Sequence, residues 1–342
     1  MIVVMAVAAT EEDIQSVVST IKSQGMDSVV WPGGDRVAIG IPNAIPPELR
    51  EPLTQKLMSL TGVDHVAHVS RPYKLASREF HSANTVFEIK GTIIGGEQLQ
   101  VMAGPCAIES YEQMLTSAKA CKEAGAQILR GGAFKPRTSP YSFQGMQEEG
   151  LKILKAVGEE IGLLTISEVM QPDLVPLAVK YVDILQIGAR NMQNYPLLIE
   201  AGRSGHPVML KRGPSAPIDE FLLAAEYILH NGSPNLMLCE RGVHPLDRNY
   251  TRNTLDVSVV PVLKEISHLP VIVDPSHAVG VARWVPSMAL AAIAAGADGL
   301  MIEMHPCPRE ALSDGPQSLT PAQFQTLMGN LRAIALAMGR TL

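Results

Sequence analysis

The chain has 342 residues, of which 46% are apolar, 18% charged and 4% aromatic, and its formal net charge is −6. That composition supports a large packed core and excludes a disordered chain, while the acidic balance and scarce aromatics exclude a general nucleic-acid or anionic-membrane binder. No apolar run reaches the roughly 20 residues of a membrane span, "MIVVMAVAAT" lacks the basic start of a signal peptide, and four scattered cysteines without a CxxC suit a cytoplasmic protein with free thiols.

Residues 1–70 alternate in period. "MIVVMAV" reads as a strand. "TEEDIQSVVSTIKSQG" reads as a helix, with Thr10 as N-cap, Asp13 at the capping-box position and Gly25 as C-cap. "DSVVW" and "RVAIGI" form a predicted strand pair around "PGGD". "PPELREPLTQKLMSL" opens a second helix with prolines in its first turn, and "VDHVAHV" is a fourth strand. The order βαββαβ is the ferredoxin-like pattern. With no Gly-rich loop and no cluster of titratable groups, this segment is expected to assemble or regulate rather than to catalyse. A sheet covered by helices on one side also needs cover on the other, which predicts a homo-oligomer, a tetramer in the first instance. Residues 71–86 read as a linker by composition, and "TVFEIKGTIIGGEQLQVMAG" as a hairpin feeding a strand.

From about residue 99 one unit repeats. The apolar strands "LQVMAG", "AQILRG", "LLTISE", "VDILQIG", "PVMLKRG", "NLMLCERG", "PVIVDPSH" and "ADGLMIEMH" alternate with amphipathic helical stretches. Eight such units predict a (β/α)8 TIM barrel over 87–342. Active groups in that fold gather at the C-terminal ends of the strands. Here those ends bring Cys106, Arg130, Glu168, Arg190, Lys211, Arg241, His277 and Glu303 to one rim.

Six cations at or near this rim, Arg130, Lys135, Arg137, Arg190, Lys211 and Arg241, would repel one another unless anions occupy the mouth. Guanidinium forks suit phosphate and carboxylate, so more than one anionic group is expected. The irregular stretch "RGGAFKPRTSPYSFQG" fits the same purpose. Its glycines let backbone pass close to a ligand, and Arg130 and Lys135 face one anion while Arg137, Thr138 and Ser139 hold another. Glu109, Glu168 and Glu240 are candidates to orient the arginines. A thiol, an imidazole and two carboxylates, Cys106, His277, Glu303 and Asp314, make a mixed donor set for a divalent transition ion, three of them following the first, seventh and eighth barrel strands. Cys121 and Cys239 are expected to pack, and His305 and Cys307 to lie near Glu303 in touching or supporting roles. No P-loop or GxGxxG is present.

"GGAFKPRTSPYSFQG", together with "AGPCAIES", "LQIGARN", "LKRG", "LCERG" and "VDPSHAVG", resembles the 3-deoxy-D-arabino-heptulosonate 7-phosphate (DAHP) synthase family, in its metal-dependent subgroup with a short ferredoxin-like domain. "HPCP" departs from the usual form of that family at Cys307. The resemblance implies a transferase that condenses phosphoenolpyruvate with erythrose 4-phosphate, the entry step of the shikimate pathway and aromatic amino-acid biosynthesis. It implies Mn2+ or another first-row ion (Fe2+, Co2+, Zn2+) held by Cys106, His277, Glu303 and Asp314. Arg130, Lys135, Arg190, Lys211 and Arg241 would bind phosphoenolpyruvate, and Pro136, Arg137, Thr138 and Ser139 erythrose 4-phosphate. Lys135, Cys106 and His277 carry the catalytic roles, with Lys135 as proton donor to the forming alkoxide, helped by its neighbouring cations. Tyrosine or phenylalanine would act on the small domain. A 3-deoxy-D-manno-octulosonate 8-phosphate synthase is the nearest alternative, but that family shows KANRSS where this chain has Pro136 and Thr138. A non-catalytic aromatic amino-acid sensor would require loss of a metal ligand or of Lys135, and all are present.

Overall fold

The structure is a computed structural model that describes the chain except for residues 34–35, 44, 68–71, 136–138 and 140. It comprises two compact units, residues 1–84 with 266–268, and residues 85–265 with 269–342. No helix among the described residues is long and apolar enough to cross a membrane.

In the first unit, strands β1 (Ile2–Met5), β2 (Val29–Gly33), β3 (Arg36–Gly40) and β4 (Val63–Ala67) form an antiparallel sheet in the order β2-β3-β1-β4. This is the βαββαβ arrangement expected from the sequence. Helix α1 (Glu11–Ser23) starts with a reciprocal capping box: Asp13 N–H donates to the Thr10 hydroxyl, and Thr10 N–H donates to the Asp13 carboxylate. Its C-cap is Gln24, one residue before the predicted Gly25, which takes the left-handed conformation (φ 72) just beyond. Helix α2 (Pro47–Met58) starts on Pro46, with Pro47 as its first residue, where a missing N–H costs nothing. The inward faces of α1 and α2 supply Ile14, Val17, Ile21, Leu53 and Leu57 to a core with Val3, Met5 and Ile39 of the sheet. Residues 72–84, read from composition as part of a linker, belong to this unit. Tyr73, Leu75, Ala76 and Phe80 are buried, and the Phe80 ring meets Trp31 edge-on at 6.1 Å.

In the second unit, β5 (Phe87–Ile89) and β6 (Thr92–Ile94) form the predicted hairpin. Eight parallel strands follow: β7 (Gln100–Gly104), β8 (Ile128–Arg130), β9 (Leu164–Val169), β10 (Ile184–Ile187), β11 (Val208–Lys211), β12 (Leu236–Glu240), β13 (Val271–Val273) and β14 (Gly299–Glu303). They close into a barrel, with β14 paired to β7 from Gly299↔Gln100 to Glu303↔Gly104. Nearly every strand residue is buried on both faces, the reason these strands read as continuous apolar runs. The hairpin seals the N-terminal end: Phe87, Ile89 and Ile94 pack with interior residues contributed by all eight strands, among them Met102, Ile166, Met209 and Met301. Cys121 and Cys239 are fully buried packing residues whose thiols burial pushes up, as expected.

Candidate active site

The C-terminal ends of the barrel strands surround a cavity of about 120 Å³. Arg130, Lys135, Glu168, Arg190, Lys211 and Arg241 all line it, together with Cys106, His277 and Asp314. Glu303, the last residue of β14, is fully buried beneath. The rim residues expected from strand position are therefore brought together. A roomier cavity, about 790 Å³, lies among residues that precede β8–β11, such as Gln127, Leu163 and Asp183. It lacks any convergence of thiol, imidazole and carboxylates, so volume alone does not mark the site.

Backbone geometry sets the placement of the thiol. Gly104 ends β7 with φ 147, and a side chain there would strike the Arg130 carbonyl. The bare glycine lets the two strands run together, and Cys106 then turns into the mouth. Its sulfur lies 3.3 Å from the Asp314 carboxylate and 3.0 Å from the Ser313 hydroxyl. Cys106, Glu303 and Asp314 each offer one donor atom within 4.8 Å of the others. His277 sits on the short helix Pro275–Val279 after β13, with Nε2 3.3 Å from Glu303 and 4.0 Å from Asp314. His277 thus adds an imidazole beside the three, and a donor set of one thiol, one imidazole and two carboxylates fits a borderline divalent ion.

The electrostatics keep the acids ionised. Burial works against ionisation of Glu303, yet His277 and Arg130 hold it below the ordinary carboxylate range. Burial likewise opposes Asp314, and His277 and Arg252 outweigh it. Burial, with Glu303 adding, pushes the Cys106 thiol up to about 11. Arg130 donates to Glu303 at 2.6 Å and to the Pro105 carbonyl at 3.0 Å. Lys135 donates to the Cys106 carbonyl and lies 3.1 Å from its sulfur. Lys211 is paired at 2.5 Å with Asp274.

Asp274, one residue beyond β13, was not singled out from the sequence, although strand position applied to it equally. It is fully buried and joins both halves of the mouth: it accepts His277 Nδ1 at 2.7 Å, the His277 backbone N–H at 2.9 Å and the Lys211 ammonium at 2.5 Å. With Nδ1 engaged, the His277 ring presents Nε2 to Glu303 and Asp314. Arg252 and Gln317 are likewise additions. Gln317 donates to Glu303 at 2.6 Å and accepts from Arg252 at 3.1 Å, and Arg252 also reaches Asp314 at 3.4 Å. Arg252 sits in a loop and Gln317 ends the single 3-10 turn Gly315–Gln317, where no periodic signal marks them.

The supporting residues have these partners. Glu240 does orient an arginine, but it is Arg212, at 3.1 Å. Glu168 accepts from Gln186 at 3.3 Å. Glu109 contacts His305 and the Leu312 N–H. Ser139 does not line the cavity; its hydroxyl accepts the Tyr141 N–H within a local turn. Pro136, Arg137 and Thr138 lie outside the described residues.

The sequence model of the DAHP synthetase I family matches residues 79–336. This chain belongs to that family. A second model, the DAHP synthase ferredoxin-like domain, matches residues 1–71. A phospho-2-dehydro-3-deoxyheptonate aldolase from Thermotoga maritima is 44% identical over 339 residues, covering 99% of each chain. The crystal structure of a Thermotoga maritima phospho-2-dehydro-3-deoxyheptonate aldolase (DAHP synthase) superposes with a TM-score of 0.79 at 43% identity, over 99% of this chain and 98% of that one. A 2-dehydro-3-deoxyphosphooctonate aldolase from Syntrophobacter fumaroxidans is 34% identical over 263 residues, covering 72% of this chain and 90% of that protein.

Proposed function

We infer that this member of the family is a 3-deoxy-7-phosphoheptulonate synthase, condensing phosphoenolpyruvate with erythrose 4-phosphate and water to give DAHP and phosphate. The observation that carries the reading is the mouth itself, where a thiol–imidazole–dicarboxylate set meets clustered cations in a chain that matches such an enzyme from end to end. The octulosonate alternative is weaker. Its relative shares less identity and matches only 72% of this chain, and Pro136 and Thr138 depart from its motif.

We assign Arg130, Arg190, Lys211 and Arg241 to the phosphate and carboxylate of phosphoenolpyruvate, with Lys135 beside them. Asp274 fixes the Lys211 ammonium in place. Pro136, Arg137, Thr138 and Ser139 remain the assignment for erythrose 4-phosphate. Cys106, His277, Glu303 and Asp314 would hold Mn2+ or another first-row divalent ion, which when bound supplies Lewis acidity toward the aldehyde oxygen. In the reaction, C3 of phosphoenolpyruvate bonds to the aldehyde carbon and Lys135 gives its proton to the resulting alkoxide. Water adds at C2, and the hemiketal C–O bond then breaks to release phosphate and leave the ketone. Holding both substrates in line contributes much of the rate.

Purified protein supplied with phosphoenolpyruvate and either erythrose 4-phosphate or a five-carbon aldehyde phosphate tests this. Turnover is expected with the four-carbon aldehyde; preference for the five-carbon one would overturn it. Arg190→Ala is expected to raise KM for phosphoenolpyruvate, and Arg137→Ala that for erythrose 4-phosphate. Each loss should be about ten- to a hundredfold, from roughly 1.5–3 kcal/mol per charge-assisted contact. Effects of both variants on the same substrate would contradict the division into two pockets.

We further propose that the protein is a cytoplasmic homotetramer whose first unit takes tyrosine or phenylalanine as a feedback effector. A cavity of about 610 Å³ within that unit, lined by Trp31, Phe80, Arg36, Arg78, His65 and His81, supports this with aromatic faces and cations suited to an amino acid carrying a ring and a carboxylate. Millimolar tyrosine or phenylalanine should inhibit the full chain, and no response to either would exclude the effector.

A further inference from the structure

We propose that Glu109 is a positioning residue that latches the loop carrying Asp314, and so sets the geometry of the metal-ligand set. The inference rests on the metal reading above. Glu109 follows β7, three residues beyond Cys106; it does not line the cavity, and among the described residues its ion pair is with His305. One carboxylate oxygen accepts the backbone N–H of Leu312 at 2.8 Å, two residues before Asp314. The other faces Nε2 of His305 at 3.5 Å, near the start of the same loop.

His305 explains why a carboxylate belongs there. The residue is buried, and its Nδ1 accepts the Cys307 backbone N–H at 3.0 Å. The ring proton therefore sits on Nε2, by inference from that hydrogen bond. Among the described residues Nε2 makes no hydrogen bond, and Glu109 is the acid that faces it. The His305 backbone N–H donates to Leu319, and Met304 bridges Leu319, so the loop base is tied there. Glu109 thus holds the loop by a hydrogen bond near its crest and sets its second oxygen against the ring at its base.

The crest needs such a grip. Asp314 sits in the left-handed region at φ 53, a conformation a non-glycine residue keeps only where its surroundings enforce it. A side chain on the following Gly315 would collide with the Pro308 carbonyl, so the turn is tight across its width. Ser313 and Asp314 then meet the Cys106 sulfur. Released from Glu109, the loop keeps its base but loses the bond that holds it two residues before its ligand.

The test is Co2+ titration of the full chain, read by the visible spectrum and the thiolate-to-metal absorption, with steady-state KM values alongside. Glu109→Ala should weaken Co2+ binding by about ten- to a hundredfold, the usual effect of removing support from a metal ligand. Glu109→Asp keeps the charge but falls one carbon–carbon bond short, about 1.5 Å, and should lose part of that affinity. Glu109→Gln keeps an acceptor for Leu312 but sets an NH2 against the Nε2–H of His305, and should recover only part of it. The thiolate absorption should persist, because Cys106 is untouched, and both substrate KM values should hold at saturating metal. Parent-like affinity in both the alanine and aspartate variants would overturn the latch. A parent chain that binds no Co2+ would instead overturn the metal reading on which it stands.

Discussion

Changing Asp274 to asparagine is expected to reduce kcat/KM by about a hundredfold or more, with weaker metal binding and a higher KM for phosphoenolpyruvate in one variant. Burial opposes ionisation of Asp274, yet His277 and Lys211 hold its carboxyl well below the ordinary carboxylate range. Three donors converge on its two oxygens. Asparagine offers one acceptor oxygen and an NH2: with the oxygen toward Lys211 and the His277 ring, the NH2 faces the His277 backbone N–H, and in the other orientation the ammonium and the ring both lose their acceptor. A buried cation left unpaired destabilises a fold by about 3–5 kcal/mol. Because the folded carboxyl ionises at lower pH than an unfolded one, its contribution is complete above the ordinary carboxylate range and fades as pH falls through the folded value. Urea unfolding of metal-free parent and variant should therefore differ at pH 7 and converge in acid. A variant whose metal affinity stays intact while only phosphoenolpyruvate binding suffers would show that Asp274 does not hold His277.

Metal affinity should rise with pH, about tenfold per unit through the neutral range, and Cys106→Ser should both weaken binding and flatten that slope. A thiol ligates as thiolate, so capture of the ion must expel its proton. Burial and Glu303 hold the Cys106 thiol up to about 11, so the metal-free protein carries that proton across all working pH. Glu303 and Asp314 are already ionised, being held below the ordinary range, and add no proton in that window. Calorimetry in two buffers of different ionisation enthalpy would count the proton released. Binding that neither varies with pH nor releases a proton would mean that Cys106 is not a ligand.

The barrel was legible because the strands are buried on both faces and each is accompanied by a polar residue at or near its end, a pattern that survives without any alignment. Capping chemistry made α1 equally plain, since Thr10 and Asp13 act within one turn. Long-range pairing left no such mark. Asp274 reads as one more acid in "VDPSH", and only the closed barrel shows Lys211, 63 residues earlier, ending on its carboxylate. Gln317 and Arg252 meet across 65 residues of sequence. Glu109 was expected to orient an arginine, because sequence gave no means of seeing that His305 and Leu312 would come to it. Tyr73 and Phe80 were hidden by polar neighbours, although both side chains are buried.

The β5–β6 hairpin bears on how this barrel folds. Phe87, Ile89 and Ile94 lie within 13 residues of the start of β7, but the surface that buries them includes Ile272 and Met301 from the last two strands to emerge. Their burial is expected to be complete only when the ring has closed, since a curved sheet lacking its final strands offers them only part of a wall. Local contacts are made early, whereas this one spans most of the unit and waits on the slow, non-local steps. Burial of Phe87 is thus a clock for closure of the cylinder: a tryptophan there would change its fluorescence with the last event of folding, not the first.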